Sequence, residues 1–257
     1  MFRISIDPCA RGVIEMAIDS AKILFSNEFP ITDKIAVRHS TLGDVIDLGE
    51  EHYFRVLQSL TAIPSDEKYL LFKQGIDWMD LSDLEFFSMT ASSLSPADTQ
   101  IFFPGLNFSN FRLYVRPDGE KVFADKDTGV KIDFYVHRKM MDCLCTIHKI
   151  KKKVEKAGNS YTKQILIEED KDRVERALKN PKEFKSTLAP LMSSMVNREG
   201  FKYDYQTVML MRFGQFMDAA TRLQLIVATD QLIQGIYAGS VDPSKIDKKR
   251  MDWTREI

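Results

Sequence analysis

The chain has 257 residues, 44% of them hydrophobic and 28% charged, with 12 Gly and 9 Pro. That excludes collagen-like, mucin-like and wholly disordered classes, and a chain this long buries roughly 70–75% of its unfolded surface without a disulfide or metal staple. Three cysteines (Cys9, Cys143, Cys145) are too few for a disulfide framework and fit a reducing compartment, and a net charge of −1 hides an uneven distribution. Residues 1–137 carry −8, residues 138–185 carry +6 and residues 186–257 carry +1. An acidic amino-terminal part followed by a basic middle invites docking between the two, or between copies, through complementary fields. Met1–Pro8 holds Arg3 and Asp7 and no apolar core, so no signal peptide is expected, and no run approaches the roughly 20 apolar residues of a membrane helix. A soluble intracellular protein is the expectation.

In chain order, Arg11–Phe25 reads as a short amphipathic helix and Lys34–Arg38 as a strand. Thr41 with Asp44 three residues on is a capping-box-like start for a helix that the apolar spacing carries to about residue 62. Pro64 opens the next helix and Gly75 closes it. Trp78–Ala91 reads as a third, capped by Asp80 or Ser82, and Ser95-Pro96 starts a fourth that ends before Pro104-Gly105. From Phe111 the period changes to two, and Pro117-Asp118-Gly119 and Asp127-Thr128-Gly129 supply turns. The rest reads as helical, at about 133–150, 160–179, 182–197, 204–211 and 213–238. The fold class expected is α-rich α+β, with a small antiparallel β-meander near residues 112–132. Lys149–Gly158 (KIKKKVEKAG) reads as a helix end or an exposed connector, and 150–158 is the best lobe boundary, which would divide the chain into an acidic lobe, 1–150, containing the meander, and a helical lobe, 151–257.

Candidate chemistry is thin. His137, Cys143, Cys145 and His148 fall within one helical segment, but Cys143 and Cys145 sit roughly 200° apart on it, so core thiols are expected rather than a metal site. Pro117–Lys121 mimics a nuclease acid–acid–lysine pattern at the wrong spacing and reads as a turn. No nucleophile elbow or phosphate-cradling glycine loop is present, and neither catalysis nor a cofactor is expected. Two interaction candidates stand out. The first is the lysine stretch Lys149, Lys151, Lys152, Lys153 and Lys156, a docking patch for an acidic partner or for phosphates without sequence reading. The second is Met209, Met211, Phe213, Phe216 and Met217, which read either as core or as an adaptable methionine-rich protein-binding face.

Val37–Asp47 (VRHSTLGDVID), Gly49–Phe54 (GEEHYF), Pro64-Ser65-Asp66 and Gly75–Trp78 (GIDW) resemble a family of phage and prophage proteins from Gram-positive hosts. Gly235–Gly239 (GIYAG), Asp242-Pro243 and Met251-Asp252-Trp253 resemble the same family. This chain has Ser40 where the family has a proline, a departure that touches only the start of a helix. The resemblance covers about half the chain and implies no catalytic residues. It implies a role in tail morphogenesis, as an assembly chaperone or a structural component, with tape-measure, tube or baseplate proteins as partners and self-association as a further option. The place implied is the host cytoplasm or the virion tail. A nucleic-acid-associated phage protein using the 149–156 lysines is the alternative, and an unrecognised hydrolase a third reading that would need a deep pocket converging His and carboxylate groups.

Overall fold

In the computed structural model, which describes residues 20–255, a helix α1 (Ser20–Phe25) is followed by a two-stranded antiparallel hairpin, β1 (Glu28–Thr32) and β2 (Ile35–Arg38). The expected Arg11–Phe25 helix otherwise lies outside the described residues. Strand β1 escapes a pattern reading because Pro30 interrupts it, and Pro is tolerated only where a ladder hydrogen bond can be spared, as in this two-stranded ribbon.

The single helix expected from Thr41 to about residue 62 is two, α2 (Leu42–Leu48) and α3 (Glu50–Thr61), because Gly49 between them adopts φ +88°, where the α-helix cannot continue. The start is as expected: the Thr41 hydroxyl accepts the Asp44 N–H at 3.1 Å while the Asp44 carboxylate accepts the Thr41 N–H at 2.7 Å. Pro64 opens only a 3₁₀ turn, after which α4 (Lys68–Lys73) runs to the left-handed Gly75. Ser82, not Asp80, caps α5 (Asp83–Ala91), so the stretch from Trp78 to Leu81 stays outside the helix. Ser95 caps α6 (Pro96–Gln100).

The meander forms as expected, in the order β3 (Arg112–Val115), β4 (Lys121–Asp125), β5 (Val130–Ile132), all antiparallel. Its central strand is buried along Val122–Asp125, and the Asp125 carboxylate shapes the second turn by accepting the Asp127 N–H and the Thr128 hydroxyl. Helix α7 (Phe134–Ile147) then packs against both sheets, touching β1, β2 and β5, and α8 (Ser160–Lys179) starts at the Asn159 cap. Two later expectations shrink. The helix expected at 182–197 is α9 (Leu188–Val196), and the one at 204–211 is a 3₁₀ turn at Val208–Leu210. Last comes α10 (Phe213–Tyr237), ended by the left-handed Gly239.

An α-rich α+β fold results, and its main core mixes early and late segments. Leu42, Tyr53, Phe102, Phe108 and Phe123 share it with Leu188, Met192, Phe213 and Phe216. The rings of Phe103, Phe108, Phe111 and Phe123 contact in sequence, with centroids 5.1–5.5 Å apart, the tilted and edge-on geometries that aromatic quadrupoles favour. A short ladder also joins distant parts of the chain: Leu42 N–H donates to Met211 C=O at 2.8 Å and Phe213 N–H to Ser40 C=O at 2.9 Å. A second, smaller core of Leu71, Trp78, Phe86 and Ile167 fastens α8 onto the α4–α5 region.

Candidate interaction site

The lysine stretch leaves α7 through Lys149, which adopts φ +53°, and continues as an irregular connector over 150–158. That connector does not stand free. Lys68, buried in the amino-terminal half, donates to the Glu155 carboxylate at 2.8 Å and to Ser65 C=O at 2.7 Å, which supplies the partners a buried ammonium requires. Trp78 Nε1 donates to Glu155 C=O at 3.4 Å. The Lys68 ammonium, and Lys153 beside it, hold the Glu155 carboxyl down at about 2. Lys152 meets Asp66 at 3.4 Å, and Lys163 pairs with Asp77 while its ammonium stands 5.5 Å from the centre of the Trp78 ring.

Deeper in the same seam, the buried Asp170 of α8 accepts the Tyr69 N–H and the Arg173 Nε–H, both at 2.9 Å. Arg173 reaches on to Asp66 C=O at 2.7 Å. A cavity of about 290 Å³ lies among these groups, between Ser65, Lys68, Glu155 and Arg173. The basic middle and acidic beginning of the chain therefore meet inside one molecule, and part of their charge is spent there. Of the five lysines singled out by sequence, Lys152 and Lys153 take part in this seam. Lys149, Lys151 and Lys156 are exposed with no acidic partner among the described residues.

The methionine and phenylalanine group is placed differently. Met211, Phe213 and Phe216 are buried in the main core, and Met209 and Met217 pack partly buried against it, so the five form one packed unit around the start of α10 rather than an open face. Sequence alone left core and binding face undecided because both want the same apolar residues.

The histidines and thiols also turn inward. The His148 ring donates from Nδ1 to Leu144 C=O at 2.9 Å and accepts the Tyr53 hydroxyl at Nε2 at 2.8 Å. His137 lies against the Phe87 ring, centroids 4.8 Å apart, and Cys143 is buried, its thiol pushed up to about 12 by burial. No group of three or more His, Cys, Asp or Glu side chains among the described residues is arranged to hold a metal ion. Pro117–Glu120 lie in the meander's first turn, with Gly119 at φ +85° and its N–H on Arg116 C=O, and Lys121 opens β4. No helix among the described residues is long and apolar enough to cross a membrane.

Sequence reading did not single out Lys68, Glu155 or Asp170. The only available signal was compositional: an acid among the lysines of KIKKKVEK, and a lysine following the acids of the Ser65–Glu67 turn.

The carboxy-terminal motifs have structural roles. Past α10 the chain folds back on it: Ser240 and Val241 N–H both bond Gly235 C=O, and a Cβ at Gly235 would stand 2.9 Å from Val241 Cγ2. Asp242 caps the next turn through the Ser244 N–H, and Arg222 donates to the carbonyls of Trp253 and Arg255, both at 2.8 Å. Residues 179–257, from the last residue of α8 through this folded-back tail, match the family model described as YomV second domain. No curated protein matches the chain. No solved structure matches it either. In its carboxy-terminal part the chain is thus similar to a phage-derived, Bacillus prophage-like domain family.

Proposed function

We propose that this protein is a non-enzymatic phage tail-assembly protein, a chaperone or a structural component, that acts through contacts with other phage proteins in the host cytoplasm or the virion. The observation that carries the reading is the match of residues 179–257 to a phage-derived domain, which contains the GIYAG, Asp242-Pro243 and Met251–Trp253 motifs. Support for protein partners comes from large apolar side chains left at the surface, among them Phe72, Leu178, Leu210 and Tyr237. The test is recovery of the tagged chain from induced host cells, with mass spectrometry of what accompanies it and of purified particles. Tail proteins accompanying a chain that the particle lacks would make it an assembly factor. Presence in the particle at fixed stoichiometry would make it structural, and recovery of only nucleic acid or host proteins would refute the reading.

A second reading, nucleic-acid association, is favoured by one observation: Lys149, Lys151 and Lys156 remain exposed and unpaired after the seam has taken its neighbours. Phosphate contacts of this kind weaken steeply with salt. DNA binding lost in Lys149→Glu/Lys151→Glu/Lys156→Glu, with the fold intact, would support it, and binding unchanged by those substitutions would remove it.

A further inference from the structure

Three helices, α3, α4 and α5, with the residues that flank them line one groove of about 470 Å³. Arg55, Gln58 and Ser59 lie at i, i+3 and i+4 on α3, with Ala62 just past its end. Phe86, Met89 and Thr90 repeat that spacing on α5, with Ser93 beyond its end, and Leu70 and Leu71 come from α4, with Glu67 and Gln74 flanking its two ends. Helical spacing puts the α3 and α5 members each on one face, so two walls of the groove are helix faces, and α4 with its flanking residues closes the third side. Its floor is apolar, with Leu71 and Phe86 buried, while Leu70 and Met89 keep 41% and 44% of their surface exposed to solvent.

The groove's charges are unequal. Arg55 is already held by Glu51 at 2.8 Å, one turn back on α3. Glu67 is half-buried, and no hydrogen bond or ion pair to its carboxylate is found among the described residues. Partial burial pushes its carboxyl above the usual range, with Asp170 and Asp66 adding to the push against the pull of Arg173 and Lys68. A desolvated carboxylate without a partner is best satisfied by a cation brought into the groove.

We propose that this groove receives an amphipathic helix of a partner protein, which seats apolar side chains on Leu70, Leu71, Phe86 and Met89 and brings a lysine or arginine to Glu67. The proposal rests on the protein-contact reading above and gives that partner its chemistry. A helix laid in a groove between helices seats anchors at i, i+3, i+4 and i+7 along one face. The unspent negative charge selects a basic segment over an acidic one.

The test uses the full-length chain and a fluorescein-labelled synthetic helical peptide of leucine and lysine, read by anisotropy, beside a peptide in which every lysine is glutamate. The leucine–lysine peptide is expected to bind, the leucine–glutamate peptide not to. Glu67→Gln should weaken binding about tenfold, the loss of one charge-assisted hydrogen bond. Met89→Asp and Leu70→Asp, both at exposed positions, should each abolish it while circular dichroism stays native. Binding that survives all three substitutions, equal binding of the acidic peptide, or no binding of the basic one would overturn the proposal. If tail proteins accompany the Met89→Asp chain from host cells as fully as the parent, the groove is excluded and the tail-assembly reading stands. If none accompany the parent chain either, that reading is what fails.

Discussion

Gly214 N–H donates to His39 Nε2 at 2.9 Å, joining residues 175 positions apart. Gly214 sits in the first turn of α10, where backbone N–H groups lack helical acceptors, and the imidazole fills that role. The bond requires an unprotonated Nε2, which leaves Nδ1 facing Ser26 C=O at 3.4 Å. A Cβ at Gly214 would stand 2.8 Å from the same Nε2 and 3.0 Å from Cε1, so the glycine is needed for close approach and not for backbone freedom. Gly214→Ala is expected to cost about 1–3 kcal/mol, since moving the ring leaves buried groups unpaired. Urea unfolding should show a lower midpoint at unchanged m-value. A loss under about 0.5 kcal/mol would mean the imidazole moves aside freely.

Acid sensitivity follows from the same ring and two others. His39, His137 and His148 are each held at about 4, chiefly by burial, with Arg212 adding to the effect at His39 and His39 adding at His148. In the unfolded chain they titrate near 6.5, so as pH falls the unfolded state takes up protons first. Stability is therefore full above about pH 6.5 and falls from there toward pH 4, by about 1.4 kcal/mol per pH unit for each histidine. Urea midpoints measured from pH 7.5 to 4.5 should trace that slope, and His137→Leu should flatten it by roughly one third. A profile flat down to pH 5 would show that the rings are hydrated.

The seam gives a contrast within one ion-pair network. Lys68 is buried and held by Glu155 and Ser65, whereas Lys153 meets the same Glu155 from an exposed position. Removing one partner of a buried pair strands the other charge, so Lys68→Ala is expected to cost about 3 kcal/mol. Lys153→Ala should change stability by less than about 0.5 kcal/mol, because exposed pairs are screened. Because the Glu155 carboxyl is held below its unfolded value, its stabilisation is present above about pH 4.3 and lost as pH falls toward 2. Comparable losses for the two lysines would contradict this account of the seam.

Local chemistry explains what the sequence made legible. The Thr41–Asp44 and Ser82–Glu85 boxes, the Asn159 cap and the Pro117-Asp118-Gly119 turn are each satisfied within a few residues, and each sits where its own residues dictate. What stayed hidden depends on a backbone conformation that no residue pattern announces, or on pairing beyond the element itself. The break at Gly49 needs its positive φ, strand β1 needs β2 to pair with despite Pro30, and the seam needs Lys68 to meet Glu155 across 87 positions. The Met209–Met217 group shows the same limit from the other side. Its apolarity was plain, but which surface covers it is decided by α2 and α3, through Leu42 and Phe54, not by its own spacing.

Glu50 illustrates how distant partners set a helix boundary, and it carries the last prediction. It is the first residue of α3, and its buried carboxylate accepts the N–H of Thr187 at 3.0 Å, the N–H of Leu188 at 3.1 Å and the hydroxyls of Thr187 and Ser186. One carboxylate thus faces the positive ends of two helices, α3 and α9, and the first turn of α9 is capped jointly by Glu50, on the Leu188 N–H, and by the Ser186 hydroxyl, which accepts the Ala189 N–H at 2.9 Å. Burial pushes the Glu50 carboxyl up, but the hydrogen bonds from Ser186, Leu188 and Thr187 outweigh that and leave it below the usual range. Its contribution is therefore present above the unfolded value near 4.3 and lost as pH falls through the folded one. Glu50→Ala should cost about 2–3 kcal/mol, and Glu50→Gln less, since the amide oxygen still accepts. Amide hydrogen exchange locates the effect: protection at Leu188 and through α9 should fall in Glu50→Ala while the meander's amides keep theirs. If α9 exchanges no faster without the carboxylate, the capping role assigned to Glu50 is wrong.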